Sequence, residues 1–359
     1  MHHMDNHITL KSGLTLPNRF ALAPLTNTQS NPDGTLHENE LRWLVRRAGH
    51  FGLISTCAAY VSTEGKAWQG QLGIAEDRHL PGLKRLTQSI HQKGSKVIVQ
   101  LYHGGSKAEL APQKISSSPT ENAKEATADD IKRITNDFVM AARRAETAGF
   151  DGVEIHGANG YLFTQFLSPV LNRRRDEYGG SLENRARFLR EVTRAVRKHV
   201  SDNFAVFVRI SPVDLYARLG LTLEDSMQVA RWLAADGADV IHLSLREAWG
   251  PAPHEEDRTP VVTRIKEAVG EHAAVAAAGG IWLQEDAQRF FDAGGDIAVL
   301  GKAAIAHPDW PLASLRNDFK PLRGTWPVEY LKSVDVSERF ISYLKRFPGL
   351  VEGGAPPRN

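Results

Sequence analysis

The chain has 359 residues, a formal net charge of +2, 42% hydrophobic residues and 24% charged residues, which fits a globular protein with a large core and argues against a nucleic-acid or membrane surface as partner. A single cysteine, Cys57, excludes a disulfide framework, an iron–sulfur cluster and a cysteine-based zinc site, and it fits the reducing cytoplasm where we expect the protein. No apolar run is long enough to span a membrane, and the opening residues lack the apolar core of a secretory signal.

Short apolar runs alternate with longer amphipathic segments along the chain. Most of the runs are apolar at consecutive positions, as strands buried on both faces should be. We therefore expect eight strands, over residues 20–23, 53–56, 97–101, 152–155, 205–210, 240–243, 274–278 and 297–300. Residues 129–148 and 223–235 are the clearest helices, the second with Thr222 as its N-cap and Asp225 three residues later.

Eight strand–helix units in series predict an α/β fold, a single (β/α)8 TIM barrel that occupies residues 1–359. A doubly wound sheet is disfavoured because no Gly-x-Gly-x-x-Gly pattern follows the first strand. Residues 8–16 are expected to form an N-terminal hairpin that closes the barrel floor. Over residues 326–359 we expect a C-terminal extension that is helical in part and has a loose end.

Barrel enzymes carry their functional residues at the C-terminal face, where the strands end. The less usual residues of this chain collect at those positions. They are Pro24, Leu25 and Thr26 after the first strand, Ala58 and Tyr60 after the second, Gln100 and Tyr102 at the third, His156, Asn159 and Tyr161 after the fourth, Arg209 in the fifth, Trp249 after the sixth, Gly279 and Gly280 after the seventh, and Gly301 and Lys302 after the eighth.

Three features of this set favour a ring ligand that carries a phosphate. The glycines after the last two strands let backbone N–H groups approach an anion and Lys302 adds a cation, although these glycines could instead form only a tight turn. Arg209 lies inside an apolar strand and needs a polar partner, which could be a redox ring or a core carboxylate such as Glu154. Gln100 can pair with the N–H and C=O groups of a ring, or with the backbone.

The segment after the fourth strand offers two hydrogen-bonding side chains, His156 and Asn159, and a phenol, Tyr161, within six residues. Such a set suits a reaction that builds negative charge on an oxygen and then protonates carbon. Each residue alone also has a structural explanation, in core packing or in a turn. A metal site is not expected, because His156 and His103 lack a third ligand and carboxylate-rich surroundings.

Five segments resemble, in the same order, the signature of the old yellow enzyme family, the flavin-dependent alkene reductases. They are residues 16–26 (LPNRFALAPLT), 100–105 (QLYHGG), 156–162 (HGANGYL), 176–185 (DEYGGSLENR) and 208–211 (VRIS). The resemblance implies a (β/α)8 barrel that binds FMN non-covalently. It also implies that NADPH or NADH gives hydride to flavin N5, which passes it to the β-carbon of an α,β-unsaturated carbonyl compound or a nitroalkene.

The resemblance also implies a role for each candidate residue. Pro24, Leu25, Thr26 and Ala58 would line the flavin, Gln100 would hold its pyrimidine edge, Arg209 would face the side that becomes anionic on reduction, and Gly279, Gly280, Gly301 and Lys302 would hold the phosphate. His156 and Asn159 would bind the substrate oxygen, Tyr161 would donate the proton, and Tyr102 would shape the substrate pocket. We also expect Tyr60 and Trp249 in that pocket, although Trp249 could instead only pack the loop that carries it. Lys302 departs from the family's usual arginine, and Tyr102 stands where some members have tryptophan.

Two other functions remain open at this point. One is a phosphate-binding barrel aldolase or isomerase, in which Lys302 would form a Schiff base. The other is a non-catalytic, flavin-binding redox sensor. In every case we expect a small-molecule ligand, here an activated alkene, and no nucleic acid, and a homo-oligomer is compatible with the sequence.

Overall fold

The central feature of the computed structural model, which describes residues 6–213, 219–253 and 255–356, is a closed barrel of eight parallel strands. Within these residues the strands are, in chain order, β1 (Ile8–Thr9), β2 (Thr15–Leu16), β3 (Phe20–Leu22), β4 (Leu53–Tyr60), β5 (Lys96–Tyr102), β6 (Lys114–Ser116), β7 (Ala123–Glu125), β8 (Gly152–Gly157), β9 (Ala205–Ile210), β10 (Val240–Ser244), β11 (Ala274–Ala278) and β12 (Ile297–Leu300). The barrel runs β3–β4–β5–β8–β9–β10–β11–β12 and closes back on β3. The predicted (β/α)8 TIM barrel is therefore confirmed.

Helices surround this barrel. In the described ranges they are α1 (Glu38–Arg47), α2 (Leu80–His91), α3 (Ala128–Thr147), α4 (Leu162–Leu167), α5 (Leu182–His199), α6 (Leu223–Ala235), α7 (Val261–Val269), α8 (Gln284–Asp292), α9 (Lys302–Ala306), α10 (Trp310–Ala313), α11 (Val328–Ser333) and α12 (Glu338–Leu344). α3 and α6 match the two helices predicted from the sequence, and the predicted N-cap Thr222 forms a capping box with Asp225. Among the described residues, no helix combines the length and apolarity that a membrane crossing requires.

All eight predicted barrel strands are present, and β4 differs most from its predicted range. It continues past residue 56 to Tyr60, and its register against β5 shifts between Ser55 and Ala58. The main chain of Tyr60 then bonds with Leu72 and Ile74 at 3.0 and 3.1 Å. A bulge re-aims the side chains that follow it, which a local apolar pattern does not encode. The small sheet of β6 and β7 is not predicted either, since strands of three residues carry little periodic signal.

The apolar core has one part on each side of the barrel wall. Outward-facing residues such as Val153 and Val208 pack beneath the helices. A separate inner cluster contains Ile98, Phe207 and Val240 of the barrel together with Leu10, Leu14 and Leu16 of the β1–β2 hairpin. The hairpin thus closes the floor of the barrel, as the sequence predicts.

The barrel interior changes from apolar to polar toward the C-terminal ends of the strands. On β5, β8, β9 and β10 the buried residues at this level are Gln100, Glu154, Arg209 and His242. Near the same end, the inner cluster contributes only small side chains from β3, from the residue that follows it and from β11, namely Ala21, Ala23, Ala276 and Ala278. One side of the barrel mouth therefore offers hydrogen-bonding side chains, and the other offers small apolar side chains. This arrangement suits a flat ligand.

The C-terminal extension packs against the outside of the barrel through α11 and α12. Trp326 is fully buried, and the ring of Phe340 meets Trp43 of α1 edge-on with centroids 5.3 Å apart. Ser337 caps α12 and also hydrogen-bonds Gln29 in the loop after β3. The extension contains helices, as expected, while residues 357–359 of the predicted loose end lie outside the described residues.

Candidate active site

The loop after β8 makes a sharp turn above the barrel mouth. Asn159 and Gly160 have positive φ angles of 61° and 76°, a conformation that asparagine and glycine tolerate best. The side chain of Gln165 holds the turn by donating to the carbonyl of Gly160 at 3.0 Å. The turn brings Tyr161 back over His156, so that their rings meet edge-on with centroids 5.1 Å apart.

His156 is a neutral hydrogen-bond donor in this site. Burial, followed by the nearby Arg209 guanidinium, lowers its pKa from 6.5 to about 3. The backbone N–H of Ala158 donates to Nδ1 of His156 at 3.2 Å. Because Nδ1 accepts that bond, the single ring proton of the neutral imidazole resides on Nε2. Nε2–H is then available to an acceptor in the barrel mouth.

Tyr161 belongs to a small aromatic wall beside His156. Its ring lies 4.6 Å from that of Tyr102, which in turn lies 5.4 Å from Trp68, and Ala58 belongs to the same cluster. Lys107 Nζ lies 5.2 Å from the centroid of the Tyr161 ring. Burial raises the pKa of Tyr161, so the phenol keeps its proton at neutral pH and can act as an acid.

Asn159 connects the loop to the next two strands. Its backbone N–H donates to Ser211 at 3.0 Å. Its Oδ1 accepts from the Ser244 hydroxyl at 3.0 Å, and the same hydroxyl accepts from Nη2 of Arg209 at 3.0 Å. Since the amide oxygen is engaged, the NH2 group is the end of the Asn159 side chain left for another acceptor.

The polar layer below this loop is centred on Glu154. Its two carboxylate oxygens bind Nε2 of Gln100 and Nδ1 of His242, each at 2.6 Å. Burial alone would raise the pKa of Glu154, but His242 and Arg209 together hold it below its ordinary value. Arg209 itself donates to Ser244 and forms no ion pair with the described carboxylates, and its Nε is buried without a partner. A direct ion pair with Glu154, the structural alternative for Arg209, is therefore absent from the described contacts.

The loops after β11 and β12 lie side by side, as their parallel pairing requires. A Cβ atom on Gly279 would lie 2.6 Å from the carbonyl oxygen of Leu245, so only glycine fits there. Gly280 has a positive φ of 69°. Gly301 precedes α9, and Lys302 is the first residue of that helix. Bare backbone and one cation thus come together at one edge of the barrel mouth.

Two aromatic residues expected in the substrate pocket lie elsewhere. Trp249 is beside Gly280, with its Cη2 3.6 Å from where a Cβ on that glycine would be, and Arg289 stacks on it at 5.8 Å. Tyr60 is buried beneath the loop after β3, where its hydroxyl donates to the carbonyl of Asp33 at 2.8 Å. The structure brings neither residue to the aromatic wall. Tyr60 ends β4 beyond the register shift of that strand, and Trp249 takes its direction from the path of the loop after β10.

The loop after β3 provides the remaining rim of the site, with Pro24, Leu25 and Thr26. Leu25 approaches the backbone of Gly301 on the neighbouring strand end, within 3.6 Å of where a Cβ would lie. The hydroxyl of Thr26 lies beside the phenol of Tyr343 in α12. The C-terminal extension therefore reaches the same loop that carries the first three candidate residues.

Sequence reasoning does not identify several residues that the fold brings to the site. They are Trp68, Lys107, His242 and Tyr343. Trp68 and Tyr343 belong to distant loops or helices, and no local signal marks them. A sequence signal for His242 does exist, because this histidine is a polar residue at an inward-facing position of the apolar run VIHLS. It pairs in register with Arg209, the polar residue of the preceding barrel strand.

Comparisons with known proteins agree with this architecture. The sequence model of the NADH:flavin oxidoreductase / NADH oxidase family matches residues 6–316. The chain is 38% identical over 318 residues to a probable NADH-dependent flavin oxidoreductase, YqiG, of Bacillus subtilis, which covers 84% of this chain and 85% of that protein. It is 34% identical over 338 residues to the NADH:acrylate oxidoreductase of Vibrio harveyi, covering 89% of this chain but only 34% of that longer protein. A solved old yellow enzyme homologue from Zymomonas mobilis superposes with a TM-score of 0.78 at 26% identity, over 91% of this chain and 96% of that one.

Proposed function

The chain belongs to the NADH:flavin oxidoreductase / NADH oxidase family, that of the old yellow enzymes, and we propose that it reduces the carbon–carbon double bond of activated alkenes. As a member of this family it is an oxidoreductase that uses FMN and takes hydride from NAD(P)H. The family assignment removes the aldolase or isomerase alternative and argues against a non-catalytic sensor. The reduction of alkenes and the roles of individual residues are our proposal.

The described residues fit FMN in three respects. One side of the barrel mouth is lined by polar side chains and another by small apolar side chains, as a flat ring with one polar edge requires. Arg209 has a buried Nε without a partner, and a buried donor of this kind calls for an acceptor. Gln100 donates its Nε2 to Glu154, which leaves its Oε1 to accept from a ring N–H.

We assign the cofactor contacts on this basis. Gln100 and Arg209 would hold the polar edge of the ring, Pro24, Leu25, Thr26 and Ala58 would line it, and Gly279, Gly280, Gly301 and Lys302 would hold the phosphate. When bound, FMN supplies the hydride chemistry. The remaining steps fall to side chains of the chain itself.

His156 and Asn159 would bind the carbonyl or nitro oxygen of the substrate. Nε2–H of His156 and the NH2 group of Asn159 are both neutral donors, so they stabilise negative charge that develops on that oxygen without giving up a proton. A fixed donor of this kind is typically worth about 3 kcal/mol of transition-state stabilisation. Tyr161 would then donate its phenolic proton to the α-carbon, which completes the reduction.

The observation that carries this proposal is the pairing of His156 and Tyr161. Their rings lie 5.1 Å apart, and burial keeps both groups uncharged, since it lowers the pKa of the imidazole and raises that of the phenol. A neutral donor beside a protonated acid suits a substrate that gains charge on oxygen and a proton on carbon.

The test compares two phenol-to-phenyl variants, Tyr161→Phe and Tyr178→Phe, in stopped-flow measurements with NADPH and then cyclohexenone. We expect Tyr161→Phe to slow flavin oxidation by cyclohexenone by roughly 10²- to 10⁴-fold, the usual contribution of a positioned acid, and to spare reduction by NADPH. Tyr178→Phe is the matched control, because it removes a phenolic hydroxyl that donates to Glu191 of α5, outside the candidate site. Equal loss in both half-reactions would contradict the role of Tyr161, and a colourless protein that cannot be reconstituted with FMN would contradict the proposed function.

A further inference from the structure

Glu154 and His242 form a buried acid–histidine pair that the proposed reaction does not use. Resting on the proposed function, we propose that Nε2 of His242 binds a proton from solvent when FMN in this site is reduced. Two-electron reduction of the enzyme would then take up two protons, one delivered with the hydride and one held by the protein. The inference concerns the equilibrium of the holoenzyme and does not depend on which alkene is the substrate.

Within the pair, one ring nitrogen of His242 has no hydrogen-bond partner among the described residues. His242 and Glu154 are 2% and 1% exposed, and Nδ1 of His242 lies 2.6 Å from the carboxylate. The other carboxylate oxygen already accepts from Gln100, so the carboxylate serves as acceptor toward both neighbours. The proton of the neutral imidazole therefore resides on Nδ1, and Nε2 is left as a buried acceptor without a partner. Nε2 is therefore the ring nitrogen at which His242 can bind a second proton while the Nδ1–H bond to Glu154 stays intact.

His242 lies at the level of the cofactor contacts. In the barrel register it is the direct neighbour of Arg209, which is also the direct neighbour of His156 on the other side. On its remaining side His242 adjoins Ala276 of β11, which is apolar. The groups that bear charge around it are thus the Glu154 carboxylate and the Arg209 guanidinium, with His156 neutral.

These surroundings are close to electrical balance before reduction. Burial lowers the pKa of His242, Glu154 raises it, and Arg209 lowers it again, with a net shift below its ordinary value. His242 is therefore neutral at pH 7 while the site holds oxidised cofactor. Hydride transfer brings two electrons and one proton, and so adds one negative charge beside Arg209 and Gln100. That charge favours the protonated form of His242 by Coulomb attraction across a low-dielectric interior.

The proton balance can be written without any further reactant. The hydride carries two electrons and one proton into the site, and solvent supplies the second proton. A new N–H bond forms at Nε2 of His242, the Nδ1–H bond to Glu154 stays intact, and the imidazolium offsets the added charge. If Arg209 alone neutralises the reduced site, no second proton is bound, and this is the competing account.

The pH dependence of the two-electron midpoint potential of the holoenzyme separates the two accounts. For a two-electron couple, each proton taken up changes the equilibrium tenfold per pH unit, which is about 30 mV. We expect a slope of two protons, about 60 mV per pH unit, around neutral pH for the unmodified protein. His242→Asn should show a slope of one proton, because asparagine keeps a donor toward Glu154 but cannot hold a second proton.

A control and a second measurement keep the result decisive. His79→Asn alters another buried histidine, one that contacts Asp33 and Tyr60 outside the cofactor contacts, and it should keep the two-proton slope. In the unmodified protein labelled with ¹⁵N-histidine, both nitrogens of one ring should become protonated on reduction. A one-proton slope in the unmodified protein, an identical slope in His242→Asn, or unchanged histidine spectra would overturn the proposal. A preparation that binds no FMN would instead refute the proposed function on which it rests.

Discussion

Lowering the pH tests whether His156 is held neutral by the fold. Burial and Arg209 lower the pKa of His156 from 6.5 to about 3, so the unfolded chain binds a proton that the folded chain does not. The contribution of this group to stability is therefore complete above pH 6.5 and is lost as the pH falls toward 3. pH 5 lies about 1.5 units below the ordinary histidine pKa of 6.5, and each unit corresponds to 1.36 kcal/mol. We therefore predict that His156 alone lowers the free energy of unfolding by about 2 kcal/mol at pH 5.

The assay is urea-induced unfolding of the holoenzyme and of the His156→Gln variant at pH 8 and pH 5. Glutamine keeps a side-chain donor but has no titratable proton, so the variant should lose about 2 kcal/mol less than the unmodified protein between the two pH values. The double difference cancels the contributions of the other histidines. If both proteins lose the same stability, or if ¹⁵N spectra find the His156 ring doubly protonated at pH 6, the neutral-donor role is refuted.

Two further predictions concern the phosphate loop and the barrel floor. Gly279→Ala places a methyl group 2.6 Å from the Leu245 carbonyl. It should weaken FMN binding, measured by fluorescence titration, at least about tenfold, which is about 1.4 kcal/mol. Gly294→Ala, whose added Cβ would meet nothing closer than 3.8 Å, is the control, and equal effects of the two variants would refute the claim that only glycine fits at position 279. Leu16→Ala removes a fully buried side chain from the barrel floor and should lower the free energy of unfolding by about 3–5 kcal/mol, with FMN affinity unchanged. Leu312→Ala, at an exposed position, should lower it little. A small loss for Leu16→Ala would contradict the closure of the floor by the β1–β2 hairpin.

The barrel is predictable from the sequence because its strands are buried on both faces. Runs such as residues 274–278 and 297–300 are apolar throughout, and their observed bounds agree with the prediction. The capping box of Thr222 and Asp225 likewise places the start of α6. Local patterns of this kind are encoded within a few residues, so the fold can be derived from them.

The site is predictable only in part, because side-chain direction depends on distant contacts. Tyr60 is the last residue of β4 and Trp249 lies in the loop after β10, yet their side chains meet Asp33 and Gly280 instead of the aromatic wall. Trp68 takes such a position instead, and no sequence spacing relates it to Tyr161. Long-range packing, and not the residue type, decides which aromatic side chains meet.

The bond between Ser337 and Gln29 joins parts of the chain that are 308 residues apart. α12, which Ser337 caps, also supplies the phenol of Tyr343 that lies beside Thr26. α12 follows all eight barrel strands in the chain, whereas the loop after β3 follows the first of them. A chain that grows from its N-terminus therefore completes the barrel strands before this wall of the barrel mouth can form.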